Sequence, residues 1–229
     1  MIKLLTSGGF GDAAMSLAKI HARFSDRIDD IELTHIRTRD DNLYKTIHDF
    51  YNTQSIKNKV IKIPSWDWQK ENRKDFDYFL GCNWSEHNHN DESSWEINPF
   101  PHIQHSRISN CPILLNPTSG GTEEISKKFT ENSIKRFMTD HPDVVLIGRG
   151  KDNYETYSNS MYNKTDINKL IDLITSSKIV ITPEGFIAYF AAMCGNKVFV
   201  KNENLPAILK RKHPKWDMSI INDLSEITL

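Results

Sequence analysis

Three short stretches carry residue types suited to a phosphorylated substrate. The first is Gly8-Gly9-Phe10-Gly11-Asp12, which interrupts the apolar run Ile2-Lys3-Leu4-Leu5. Glycines after a strand let the backbone approach a ligand closely, and the helix that follows offers unpaired N–H groups to an anion. Gly9 and Gly11 are the candidate ligand-facing glycines. The loop lacks the Lys and Ser/Thr of a Walker sequence, and Ala14 stands where GxGxxG would place its last glycine. Asp12 is the informative residue. Its carboxylate can cap the helix, or it can act as a general base for an incoming hydroxyl.

The second stretch is Thr118-Ser119-Gly120-Gly121-Thr122, followed by Lys127 and Lys128. Hydroxyls, glycine N–H groups and a Lys on one loop are what a diphosphate needs, and they are also what a solvated polar loop contains. The third is Thr182-Pro183-Glu184-Gly185 at the end of an apolar run. Glu184 can complement a helix dipole or accept hydrogen bonds from a ribose diol.

The elements that must position these residues alternate in type. Ile2–Leu5 reads as a strand, and Ala13, Leu17, Ile20 and Phe24 recur at helical spacing after Asp12. Strands are predicted at 31–36, 60–63 and 78–80, with helices over about 41–51 and 66–76 between them. Residues 84–110 lack periodicity and read as a loop or interdomain connection. The alternation then restarts. Pro112–Leu115, Val144–Ile147, Ile179–Ile181 and Val198–Val200 read as strands. Between them lie a helix capped by Thr130, a helix carrying Ile167, Leu170, Ile171 and Ile174 behind Asp166, and an all-round apolar helix ending at Cys194. The expected architecture is α/β, with two Rossmann-like lobes facing a cleft, residues 1–108 and 109–229.

Composition narrows the function classes. The 229 residues include 29 basic and 30 acidic side chains, a formal charge of -1. That balance argues against binding nucleic acid by bulk phosphate neutralisation, though a local basic groove stays possible. With 5 Trp, 7 Tyr and 11 Phe, the chain has the means to build cores despite a mean hydropathy of -0.54. Cys82, Cys111 and Cys194 form no CxxC pair, which points to a reducing compartment and a cytoplasmic protein. No apolar run is long enough to span a membrane.

The order of the motifs resembles glycosyltransferase family 9, the ADP-heptose-type heptosyltransferases of GT-B fold. The N-terminal likeness runs over Thr6–Leu17 and the C-terminal one over Ile179–Gly195. Between them, Leu115-Asn116-Pro117 and Lys127-Lys128-Phe129 match the family's loop and its entry to a helix. The resemblance implies a nucleotide-diphosphate sugar as donor substrate, with no further cofactor and no metal. It puts Asp12 on the catalytic base of an inverting transfer. Lys127, Thr118 and Ser119 fall on diphosphate contacts, Gly9 and Gly11 on the donor side, and Glu184 and Gly185 beside the nucleotide. Family members usually carry Asp-Ser/Thr-Gly where this chain has Pro183-Glu184-Gly185, and His where Ala188 stands.

The expected acceptor is a glycan such as lipopolysaccharide core, with His102 and His105 as acceptor-side candidates. A DNA partner is the alternative, through an enzyme of the same fold that glycosylates a hydroxylated base; the cluster Lys210-Arg211-Lys212-His213-Pro214-Lys215 favours it mildly. A non-catalytic nucleotide-sugar-binding protein is a third possibility. Cys82, His87, His89, His102 and His105 lack the spacing of a zinc site. Trp66, Trp68, Trp84 and Trp95 read more readily as core or cover than as stacking platforms.

Overall fold

Two separate parallel sheets organise the chain. A computed structural model describes residues 1–38, 43–80, 112–118, 128–201, 205, 208, 212 and 216–229. The chain divides into two units, Met1–Phe100 and Pro101–Leu229. The boundary expected at 108 falls in a stretch outside the described residues.

The first unit runs β1 (Ile2–Ser7), α1 (Phe10–Phe24), β2 (Ile31–Arg37), α2 (Leu43–Asn52), β3 (Lys57–Lys62), α3 (Asp67–Asn72) and β4 (Tyr78–Leu80). Its strands lie in the order β3-β2-β1-β4, all parallel, with Leu4 opposite Leu33 on one side and Tyr78 on the other. The chain therefore moves outward from β1 to β2 and β3, then returns to pair β4 with the free side of β1. That reversal is a topological switch point, and open α/β sheets bind ligands beside the carboxyl ends of such strands.

One face of this sheet packs Leu5, Ile36 and Ile63 against Trp68, Phe76 and Phe79. On α1, Leu17 and Ile20 are fully buried, worth about 1.5–3 kcal/mol each. Phe10 meets Phe50 of α2 edge to face at 5.2 Å. β3 begins at Lys57, ahead of the expected Val60. Its polar start is tolerated because β3 is an edge strand, exposed along one side.

The second unit runs β5 (Ile113–Leu115), α4 (Glu131–Asp140), β6 (Val145–Leu146), α5 (Ile167–Ser176), β7 (Ile179–Pro183), α6 (Phe186–Met193), β8 (Lys197–Lys201) and β9 (Met218–Ile221). The order is β6-β5-β7-β8-β9, again all parallel. Here the switch lies between β5 and β7. The expected caps form: Thr130 Oγ1 accepts from Ser133 N–H at 3.2 Å, and Asp166 Oδ1 from Lys169 N–H at 2.8 Å. Ala188 to Met193 of α6 are all buried, as an all-round apolar helix requires. β9 has no counterpart in the sequence reading, because Met218-Ser219-Ile220-Ile221 lacks alternation; it pairs with β8 from Val198↔Met218 onward.

Candidate functional site

In the first unit, the loop leaving β1 is built around Gly8 and Asp12. α1 starts at Phe10, so Asp12 sits inside its first turn and not ahead of it. Gly9 is the N-cap and has no side chain to cap with. Asp12 serves from within, its Oδ2 accepting from Gly9 N–H at 2.6 Å. Asp12 stays partly exposed. Gly8 adopts a φ of 114°, a conformation that favours glycine.

Strand β2 holds the same loop from the other side. Gly8 N–H donates to the Ile36 carbonyl at 3.2 Å. The Gly8 carbonyl accepts from Arg37 Nη1 at 2.6 Å and from His35 Nε2 at 3.2 Å. A carbonyl can only accept, so Nε2 carries the proton. Burial pushes the His35 imidazole down to about 4, with the Gly8 bond opposing that shift and Arg37 reinforcing it. The ring is thus neutral near pH 7, and its Nδ1 accepts from the Tyr51 hydroxyl at 3.1 Å. Burial raises the Tyr51 phenol well above its ordinary range. Beneath the loop, Ser16 Oγ donates to the Asp12 carbonyl at 2.9 Å and bonds Thr6 Oγ1.

In the second unit, the ends of β5 and β7 are joined by side chains. Asn116 Nδ2 donates to Thr182 Oγ1 at 3.0 Å, and Thr182 Oγ1 donates on to the Pro183 carbonyl at 3.0 Å. Asn116 Oδ1 is buried without a hydrogen-bond partner among the described residues and lies against Gly148, whose φ is 117°. Glu184 follows β7, and Tyr189 reaches back one turn of α6 to donate to Glu184 Oε1 at 2.6 Å. Gly185, the N-cap of α6 at φ 155°, has no atom of the described residues within 4 Å of where a side chain would project. The first turn of α6 therefore presents backbone N–H groups at the switch point.

The sequence-predicted residues separate into two groups and a remainder. Gly9, Gly11 and Asp12 stand together at the end of β1. Thr118, Glu184 and Gly185 follow the carboxyl ends of β5 and β7. Thr118 is buried, its hydroxyl within 3.2 Å of the Tyr162 hydroxyl. Lys128 bonds Asp152 at 3.0 Å. Ser119, Lys127, His102 and His105 lie outside the described residues, as do Cys82, His87, His89, Trp84, Trp95 and the basic cluster except Lys212. Lys212 donates to the Met218 carbonyl. Trp68 is partly buried and packs against the core, and Trp66 is half exposed. Burial raises the Cys194 thiol far above its ordinary value, which disfavours the thiolate. Among the described residues no group of three or more His, Cys, Asp or Glu could hold a metal. None of their helices is long and apolar enough to cross a membrane.

His35, Arg37, Tyr51 and Tyr189 are absent from the sequence reading. A signal existed for two of them. His35 and Arg37 lie two apart on one face at the end of a mostly buried strand, an unusual place for basic groups. Tyr51 and Tyr189 gave none, since each also reads as ordinary helix core.

No protein-family model and no curated protein matches the sequence. Solved structures do match. The E. coli ADP-heptose lipopolysaccharide heptosyltransferase II aligns over 96% of this chain and 90% of its own, with a TM-score of 0.56 at 14% identity. The E. coli heptosyltransferase WaaC, bound to ADP-2-deoxy-2-fluoro heptose, aligns over 99% and 96%, with a TM-score of 0.59 at 10% identity. A glycosyltransferase family 9 structure from Veillonella parvula aligns over 96% and 85%, with a TM-score of 0.55 at 7% identity. The chain therefore has a family 9-like heptosyltransferase fold, of the GT-B class.

Proposed function

We propose that this chain is a glycosyltransferase that moves a sugar from a nucleotide-diphosphate sugar to an acceptor hydroxyl. The observation that carries the reading is Asp12: a partly exposed carboxylate at the carboxyl end of β1, beside the switch point, on a heptosyltransferase fold. In the proposed reaction Asp12 takes the proton of the acceptor hydroxyl. The acceptor oxygen forms a bond to the anomeric carbon while the bond from that carbon to the diphosphate breaks. Attack opposite the leaving group inverts the anomeric centre. The nucleoside diphosphate departs as an anion without a metal, its charge met by the N–H groups of α6 and by Thr118, Ser119 and Lys127. Gly9 and Gly11 complete the donor side. Glu184 and Gly185 lie beside the nucleotide, with Glu184 accepting from the ribose. The acceptor is a glycan such as lipopolysaccharide core, approached by His102 and His105, and the reaction is cytoplasmic. Residues 1–108 form the acceptor lobe, and 109–229 the donor lobe.

ADP-heptose and ADP are the probes. Bound at a hundredfold excess over Kd, each should raise unfolding free energy by about 2.7 kcal/mol. Asp12→Asn keeps an oxygen that can accept from Gly9 N–H, so the fold should persist while transfer falls by about 10²–10⁴. Unchanged transfer in Asp12→Asn would remove the base from this scheme. The absence of a thermal shift with either probe would remove the adenosine-diphosphate donor.

A further inference from the structure

We infer that His35 and Arg37 are positioning residues for Asp12, acting through the Gly8–Gly9 peptide bond. The inference deepens the proposed function and rests on its reading of Asp12 as the base. The Gly8 carbonyl and the Gly9 N–H belong to one planar, trans peptide unit, so they point in opposite directions. The oxygen end is held by Arg37 Nη1 at 2.6 Å and His35 Nε2 at 3.2 Å. The nitrogen end donates to Asp12 Oδ2 at 2.6 Å. A cation bonded to the carbonyl polarises the peptide and strengthens its N–H as a donor. Rotation of this plane would carry the Gly9 N–H away from Asp12 and release the carboxylate from its orientation.

The clamp is anchored independently at both donors. His35 is fully buried, and its Nδ1 is fixed by Tyr51 at 3.1 Å, so the ring cannot turn without breaking that bond as well. Arg37 is 4% exposed, and its guanidinium lies 5.8 Å from the centre of the Tyr44 ring. Gly8 N–H completes the attachment by bonding the Ile36 carbonyl. Three consecutive residues of β2 thus grip one glycine of the neighbouring strand's loop. A polar cluster this buried needs a reason beyond stability, because apolar side chains would fill the same space at lower desolvation cost.

The test reads the peptide directly and then the chemistry. In amide NMR spectra of the full chain, Arg37→Ala and His35→Leu should shift the Gly9 N–H resonance upfield and speed its solvent exchange about tenfold. Arg37→Lys and His35→Gln each retain a donor to the carbonyl and should stay close to the parent protein. Dispersed spectra for the conservative pair keep the test valid if a truncated variant unfolds. In ADP release from ADP-heptose, the truncated variants should lose about tenfold in kcat with KM unchanged, and the conservative variants should recover most of it. A Gly9 resonance unmoved in both truncated variants overturns the clamp. A shifted resonance with full kcat, in a protein that Asp12→Asn inactivates, overturns the positioning role and leaves the base standing. Retained turnover in Asp12→Asn instead removes the base, while the NMR result still judges the clamp.

Discussion

The Asp12 carboxylate occupies the volume that a side chain on Gly8 would need: a Cβ there would fall 2.2 Å from Oδ2 and 2.6 Å from Cγ. Position 8 therefore demands glycine twice, for this contact and for its φ of 114°. Gly8→Ala should cost at least about 2 kcal/mol in urea unfolding and displace the carboxylate. Adding Asp12→Ala removes the clash but not the backbone strain, so the second substitution should return part of the lost stability. Full additivity of the two would show that the contact does not form.

A similar conflict governs the second unit. A Cβ on Gly148 would lie 2.3 Å from Asn116 Oδ1 and 3.2 Å from the Tyr162 ring. Gly148→Ala should destabilise by about 2 kcal/mol or more, and Asn116→Ala in the same chain should relieve part of that loss. The double-mutant cycle should yield a coupling of about 0.5–3 kcal/mol, measured from denaturation midpoints. A coupling of zero would separate the two residues.

Tyr189 is expected to govern nucleotide affinity through Glu184. Tyr189→Phe removes a 2.6 Å bond to the carboxylate while keeping the buried ring, which packs 6.2 Å from that of Trp216. Loss of a hydrogen bond to a charged group is worth about 1.5–3 kcal/mol. If Glu184 reads the ribose, the Kd for ADP should rise about tenfold in Tyr189→Phe and at least as much in Glu184→Gln. Calorimetric titration checks both. Equal affinity in all three proteins would place the ribose elsewhere.

His35 should leave a pH signature on stability. Its folded value of about 4 lies below the 6.5 of an exposed imidazole, so the unfolded chain binds the extra proton more readily. Stability is full above about pH 6.5 and falls as pH drops toward 4, by up to about 3 kcal/mol. His35→Gln cannot titrate and should flatten this part of the profile. Unfolding free energies between pH 4 and 7 supply the measurement, and parallel slopes for the two proteins would contradict it.

Most of the architecture was legible because it follows periodicities that a single chain displays. The helix over 167–176 announced itself through Ile167, Leu170, Ile171 and Ile174 with Asp166 as cap, and the cap forms at 2.8 Å. The apolar helix before Cys194 was likewise readable, since no face of it could meet water. What escaped was edge behaviour. β3 opens on Lys57-Asn58-Lys59, residues that a central strand would exclude but an edge strand accepts. Nothing in the chain itself states which strand will lie at an edge.

The same division holds at the candidate site. The residue types and their order, Gly8-Gly9-Phe10-Gly11-Asp12 after a strand and Glu184-Gly185 after another, were determined by the sequence alone, because a glycine loop between strand and helix is a local matter of backbone freedom; that α1 begins at Phe10, ahead of Asp12, was not. The strand order, which turns the ends of β1, β5 and β7 into switch points, was decided only by tertiary structure. So was the grip of His35 and Arg37 on Gly8, which joins residues nearly thirty positions apart. Hydrogen bonds of that kind depend on the register between β1 and β2, where Thr6 faces His35. Register is set by the packing of whole sheets, a collective property that no local stretch contains.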